Sequence, residues 1–237
     1  MKNTSYDLYL VAGNITIFCG SHSDDFKRDL LHSSLYGQLL AAKSGNHREL
    51  YWSKYTNMLG NLAWVQESNS LERVNFAPNS LLRIITDRTA KLISDDERQS
   101  LADAFSRLAE LSNESEAIGS FIKRLQANSP AANNDNDDDQ FLPTKTSLSN
   151  IAAVVTIVRK DKVAVTIQVL AHTSSRIGID ILDQTKLRPS EDNKDNIMVN
   201  LSLLNESNYG NFRKAIDEKT NSKIKTELIH IHEPLPD

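Results

Sequence analysis

Ile151-Ala152-Ala153-Val154-Val155-Thr156-Ile157-Val158, then Arg159-Lys160-Asp161-Lys162, then Val163-Ala164-Val165-Thr166-Ile167-Gln168-Val169-Leu170: two β-branched runs of strand length flank a polar connection of hairpin length. This pattern predicts a β-hairpin. Further on, Ile177–Leu182 and Ile197–Leu204 read as two more strands separated by a polar loop containing Pro189. Glu206–Thr220 has a helical apolar face in Tyr209, Phe212 and Ile216, and Ile224–Ile231 returns to extended form. A closing strand, helix, strand unit of this kind is a crossover to a parallel neighbour.

Upstream of the hairpin the chain turns polar. Asn133-Asn134-Asp135-Asn136-Asp137-Asp138-Asp139, between Pro130 and Pro143, has almost nothing apolar to bury. Before it, apolar residues recur every three or four positions, as helices require. Phe26, Leu30, Leu31, Leu35, Leu39 and Ala42 form one stripe behind a cap at Ser21 or Ser23, with Gly45-Asn46 as its stop. From about Arg48, Tyr51, Trp52, Tyr55, Met58, Leu59 and Leu62 share a second face, which reads as core more readily than as a ligand platform. Leu62-Ala63-Trp64-Val65 either extends that helix or begins a strand. From Asn79 the helical period returns with Leu81, Leu82, Ile84, Ile85, Leu92 and Ile93, and Ser94 with Glu97 forms a capping box ahead of Leu101, Ala104, Phe105, Leu108 and Leu111. Ile118, Phe121, Ile122 and Leu125 mark a further helix, and three helices joined by short breaks are expected to pack as antiparallel neighbours.

At the start, Tyr6–Gly20 reads as extended, either a hairpin turning at Gly13-Asn14 or one kinked strand. That opening strand needs a sheet to join. The expectation is therefore one α+β domain over 1–237, with helices packed on a mostly antiparallel sheet. Residues 1–127 form its mainly helical part, 128–149 an acidic flexible loop outside it, and 150–237 its strand-rich part.

Composition narrows function mainly by exclusion. The net charge is −4, with 27 Lys and Arg dispersed among 31 Asp and Glu, which argues against nucleic-acid binding. One cysteine, Cys19, excludes an internal disulfide and fits a reducing compartment. The N-terminal apolar run imitates a signal peptide, but Asp7, Asn14 and Phe18 break the pattern. No run reaches the roughly 20 apolar residues that span a bilayer, so stable membrane insertion is not expected. The protein reads as cytoplasmic when made, and signal-independent export stays open.

Four residues are candidates for chemistry. Cys19 and His22 are the only close thiol and imidazole, though a lone Cys in an apolar strand is usually inert packing. His230 and His232 alternate along a strand and so present two imidazoles to one side, the start of a metal site whose third ligand would be distant, His172 or Asp180. Asp135, Asp137 and Asp139 alternate like a calcium loop but lack its glycine, and Thr146 stands where its glutamate belongs. Walker, Gly-x-Gly-x-x-Gly and Cys-x-x-Cys patterns are absent, so neither a cofactor nor a structural metal is expected.

The stretch Asp29-Leu30-Leu31-His32-Ser33-Ser34-Leu35-Tyr36-Gly37-Gln38-Leu39-Leu40-Ala41, followed by Trp52, Tyr55 and Leu59-Gly60-Asn61-Leu62-Ala63-Trp64-Val65, resembles a family of small uncharacterised bacterial proteins. The tail Tyr209-Gly210-Asn211-Phe212-Arg213-Lys214-Ala215-Ile216 is similar too. The resemblance implies a bacterial origin and one co-folded domain, with no site to carry over. The functional expectation is a binding or assembly protein acting on a protein partner or on itself. The alternatives are a hydrolase-like enzyme built from distant residues, which requires a pocket where two of the candidates meet a carboxylate, and a membrane-active effector or toxin.

Overall fold

The computed structural model describes residues 5–43, 48–72, 76–112, 114–127, 149–189 and 197–232. The opening segment is a hairpin of β1 (Tyr6–Val11) and β2 (Asn14–Cys19), paired from Tyr6 opposite Cys19 to Val11 opposite Asn14. Its turn is Ala12-Gly13, one residue earlier than expected, with φ of 48° and 79°. Both values lie in the left-handed region that a right-twisted two-residue hairpin needs. Gly13 is required twice over, because a Cβ there would stand 2.7 Å from the carbonyl oxygen of Ser120.

Ser23 caps α1 (Asp24–Ala42) by accepting from the Phe26 N–H, and α2 (Arg48–Asn61) follows. The expected stop at Gly45-Asn46 lies outside the described residues, as do the acidic segment and its alternating aspartates. Ala63, at φ 64°, turns the chain into β3 (Trp64–Glu72). Helices α3 (Leu81–Thr89), α4 (Asp95–Ala109) and α5 (Glu116–Ala127) come next, with the Ser94 and Glu97 capping box formed as expected. Then come β4 (Ser149–Val158), β5 (Val163–Thr173), β6 (Arg188–Pro189), β7 (Ile197–Leu204), α6 (Glu206–Tyr209), α7 (Arg213–Glu227) and β8 (Leu228–Ile231).

The expected hairpin is β4 and β5, paired from Ser149 opposite Thr173 to Val158 opposite Ala164. It sits in one sheet of order β3-β7-β5-β4-β2-β1-β8, with β6 on the same edge of β5 as β7. Strands from both sides of the acidic segment interleave. Only β2 and β4 run parallel among the described strands, so the sheet is mostly antiparallel. Alternate side chains serve two cores. Ile15, Ile17, Ile151, Val155 and Ile167 meet Phe105, Leu108 and Phe121 of α4 and α5 on one face. Phe18, Val154, Val158 and Ala164 meet Phe26, Leu35, Tyr55, Leu59 and Ile216 of α1, α2 and α7 on the other.

Four expectations change. Ile177–Leu182 is no strand: Ile179–Ile181 forms a 3-10 turn, and Ile177, Ile181 and Leu182 are buried as packing residues. The edge of β5 that such a strand would join is already filled by β6 at Ala171 and His172. Helices α3 to α5 spread along the sheet, because their apolar faces find strand side chains to cover. Ile224 continues the face of Ile216 and Thr220, so α7 runs to Glu227 and β8 begins only at Leu228. Finally, β7 and β8 point the same way but have four strands between them, since β8 pairs antiparallel with β1. The closing crossover spans the sheet.

Candidate functional site

Cys19 and His22 do not form a working pair. Strand alternation sends the Cys19 thiol into the core under α4, where its Sγ lies 4.0 Å from the carbonyl oxygen of Glu97. Burial, reinforced by the Glu97 charge, pushes the thiol up to about 12, the reverse of an activated thiolate. His22 instead packs on Phe18 and Phe26 in the other core, with Nε2 3.2 Å from the Cys19 carbonyl oxygen. Burial holds this imidazole below its ordinary range.

His230 and His232 do meet, with ring centroids 4.1 Å apart, as the strand period requires. They line a cleft of about 320 Å³ with Ser5, Tyr6, Asp7, Arg107 and Ile231. His230 stacks on Tyr9 at 4.3 Å, and its Nε2 lies 3.9 Å from Asp7 Oδ1. Burial first, and the His232 charge second, hold His230 below the usual imidazole range. Asp7 also pairs with Lys27 at 2.9 Å. The suggested third ligands stay away: His172 is on β5, with three strands between it and β8, and Asp180 is paired with Lys186. No group of three or more metal-binding side chains exists among the described residues.

Of the two readings of Leu62-Ala63-Trp64-Val65, the strand is the one formed, as the start of β3, whose length and exposure the sequence does not signal. It closes one end of the sheet order and, among the described residues, pairs with β7 alone, from Trp64 opposite Leu204 to Glu72 opposite Ile197. Eight of its nine residues, Val65 to Glu72, are exposed. Among the described residues, two of the three exposed large apolar side chains belong to it, Val65 at 52% and Leu71 at 55%. A bulge at Glu67 breaks its register and leaves Ser68–Glu72 as a regular ladder.

Beside that ladder a cavity of about 280 Å³ opens between α2 and the strands. Trp52, Ser53, Thr56 and Asn57 line it from α2, Gln66, Asn69 and Leu71 from β3, and Met198 from β7. No ionisable side chain is among these. Trp52 was expected in the core and is 3% exposed, packed on Ala152, Leu170 and Met198. The expectation missed its Nε1–H, which has no hydrogen-bond partner among the described residues. The sequence signal for β3 is confined to its start, in Leu62-Ala63-Trp64-Val65.

No protein-family model matches the chain, and no curated protein is detectably similar to it. No helix among the described residues is long and apolar enough to cross a membrane.

Proposed function

We propose that this is a binding protein that takes an extended segment of a partner protein as an added strand on β3. The observation that carries the reading is the open ladder: a nine-residue terminal strand, exposed along eight residues, with two apolar side chains presented to solvent. Sheets usually blunt such edges with short strands, Lys or Pro. The opposite edge, β8, has only four residues. The sequence Val65–Glu72 contains neither Lys nor Pro, and its guards are the bulge and two carboxylates. Main-chain N–H and C=O groups along such an edge provide affinity for any extended chain, while adjoining pockets select its alternate side chains. The bulge shortens the regular ladder to Ser68–Glu72, a length suited to a short peptide. Within this proposal the chain is a bacterial protein made in the cytoplasm, following its resemblance and composition.

The test is selection of twelve-residue peptides from a random display library against the purified protein. Selected peptides are expected to bind at micromolar Kd and to lose at least tenfold when alternate backbone amides are N-methylated, which removes ladder donors. Leu71→Lys should cause a similar loss, and the exposed-site control Phe212→Lys should not. Binding indifferent to N-methylation and to Leu71→Lys overturns the reading. So does a dimer in light scattering that Leu71→Lys dissolves, which would assign the edge to a second copy.

One observation favours a hydrolase-like second reading: His230, His232 and the Asp7 carboxylate share a cleft. A neutral imidazole beside a carboxylate is suited to general-base work. Turnover of p-nitrophenyl acetate that disappears in His230→Ala would support it. No turnover, or turnover that survives His230→Ala and His232→Ala, removes it.

A further inference from the structure

We propose that the cleft at the end of β8 is an oxyanion site that takes a phosphate monoester between Arg107, His230 and His232. It rests on neither the strand-addition reading nor the hydrolase-like one.

Three cation-forming side chains line this cleft and are open to a ligand. His230 and His232 bring imidazoles whose centroids are 4.1 Å apart, and Arg107 comes from the last turn of α4. His232 is exposed, and the side chains of His230 and Arg107 keep 34% and 22% of their surface. Arg107 is also held in place. One terminal nitrogen donates to the His232 carbonyl oxygen at 3.2 Å, and the other reaches the exposed Glu110 at 3.4 Å. A guanidinium carries more N–H donors than these two bonds use, even with its Nε–H buried, so its terminal nitrogens can also serve oxygens in the cleft.

The surrounding charges decide the sign of the ligand. Asp7 on β1 is the carboxylate that lines the cleft, and it is already paired with Lys27 of α1 at 2.9 Å, which Asp24 also approaches at 3.7 Å. Arg107 is offset only by the long, exposed contact with Glu110, a pair worth little in water. Protonation of the imidazoles therefore adds positive charge beyond what this one paired carboxylate offsets. The strain is visible at His230, which burial, the His232 charge and Lys27 hold below the usual imidazole range against the pull of Asp7. An anion would relieve that repulsion, and a divalent cation would add to it.

Shape favours phosphate over carboxylate. The guanidinium fork enters from α4, and the two imidazoles are tilted 59° to each other. Donors from such different directions suit the spread oxygens of a phosphate monoester better than the two coplanar oxygens of a carboxylate. At about 320 Å³, against about 30 Å³ for a water in the liquid, the cleft also has room for the esterified group.

The test is titration with phenyl phosphate, inorganic phosphate and benzoate at pH 6 and pH 8, following the His230 and His232 imidazole resonances by NMR. Phenyl phosphate should shift both at pH 6 with a Kd on the order of 1 mM, and bind about fivefold more weakly at pH 8. Linkage requires that its presence raise the titration midpoint of His230. His232→Gln and Arg107→Gln should each weaken binding about fivefold, and the exposed control Arg188→Gln should not. His232 lies exposed beyond the last strand, so its variant tests the site even if Arg107→Gln unfolds. Still resonances, shifts that sodium chloride of equal ionic strength reproduces, or a Kd unchanged in His232→Gln overturn the site. Benzoate binding as tightly overturns the phosphate assignment, and inorganic phosphate binding as tightly overturns the ester in favour of the free ion.

Discussion

Arg213→Ala is expected to lower the melting temperature by on the order of 10 °C, far more than loss of an exposed ion pair. Asp29 lies within the apolar stripe of α1 and is 1% exposed. Its two oxygens accept from Arg213 Nε at 2.8 Å and from the terminal guanidinium nitrogen at 2.5 Å. Removing the guanidinium strands a buried carboxylate, because Arg28 approaches only to 3.8 Å. The loss falls on the element that carries the chain across the sheet. Helix α7 leans on α1 through this pair and through His32 and Asp217, 2.6 Å apart, and delivers β8 to the edge of β1. Amide exchange in Leu228–Ile231 should therefore accelerate before exchange in β4 or β5 does. Asp29→Leu combined with Arg213→Met, which removes both charges, should recover most of the lost stability. Arg83→Ala, which breaks the exposed pair with Asp87, sets the scale for a surface interaction. If Arg213→Ala melts no lower than Arg83→Ala, the buried pair is not holding α7.

Asp29 also marks where the residues were legible and where they were not. Its neighbours in the stripe predicted α1 correctly, since periodicity reports a buried face. That the carboxylate is buried depends on Arg213, 184 positions away, and no local pattern carries such a distance. The same division runs through the candidate sites. The side-by-side imidazoles of His230 and His232 follow from a period of two within one strand, whereas Asp7 joins them only because β8 pairs with β1. Cys19 and His22 are three residues apart in sequence and serve opposite cores, which only the strand's alternation in the finished sheet decides. The β4 and β5 hairpin was readable because buried strands are written in β-branched residues. β3 was legible only as one of two readings of its start at Trp64-Val65, because an exposed terminal strand has no buried face to imprint alternation on Gln66-Glu67-Ser68-Asn69-Ser70. The open edge was hidden because it has no buried face.

Glu97→Ala is expected to cost roughly 3 kcal/mol at neutral pH, through two anchors lost at once. One carboxylate oxygen closes the capping box, accepting from the Ser94 N–H at 2.8 Å and the Ser94 hydroxyl at 3.0 Å. The other accepts from the Lys160 N–H at 3.0 Å, in the turn between β4 and β5. The residue therefore fastens the start of α4 to the tip of the central hairpin, and alanine leaves both N–H groups unmet. Glu97→Gln should cost less, because one oxygen remains to accept. The effect also carries a signature in pH. Burial alone would push this carboxyl up, but the N–H groups of Ser94 and Lys160, the Ser94 hydroxyl and the Arg159 charge together outweigh it and hold it below the ordinary range. A carboxyl depressed in the folded state stabilises fully above its unfolded value of about 4.3, and that contribution fades as pH falls through the lower folded value. Urea unfolding of wild type and Glu97→Gln at pH 7, 5, 4 and 3 should show a constant gap down to about pH 5 and a shrinking one below. A gap that stays constant to pH 3, or widens on acidification, would show that the Glu97 charge does not fasten α4 to the hairpin.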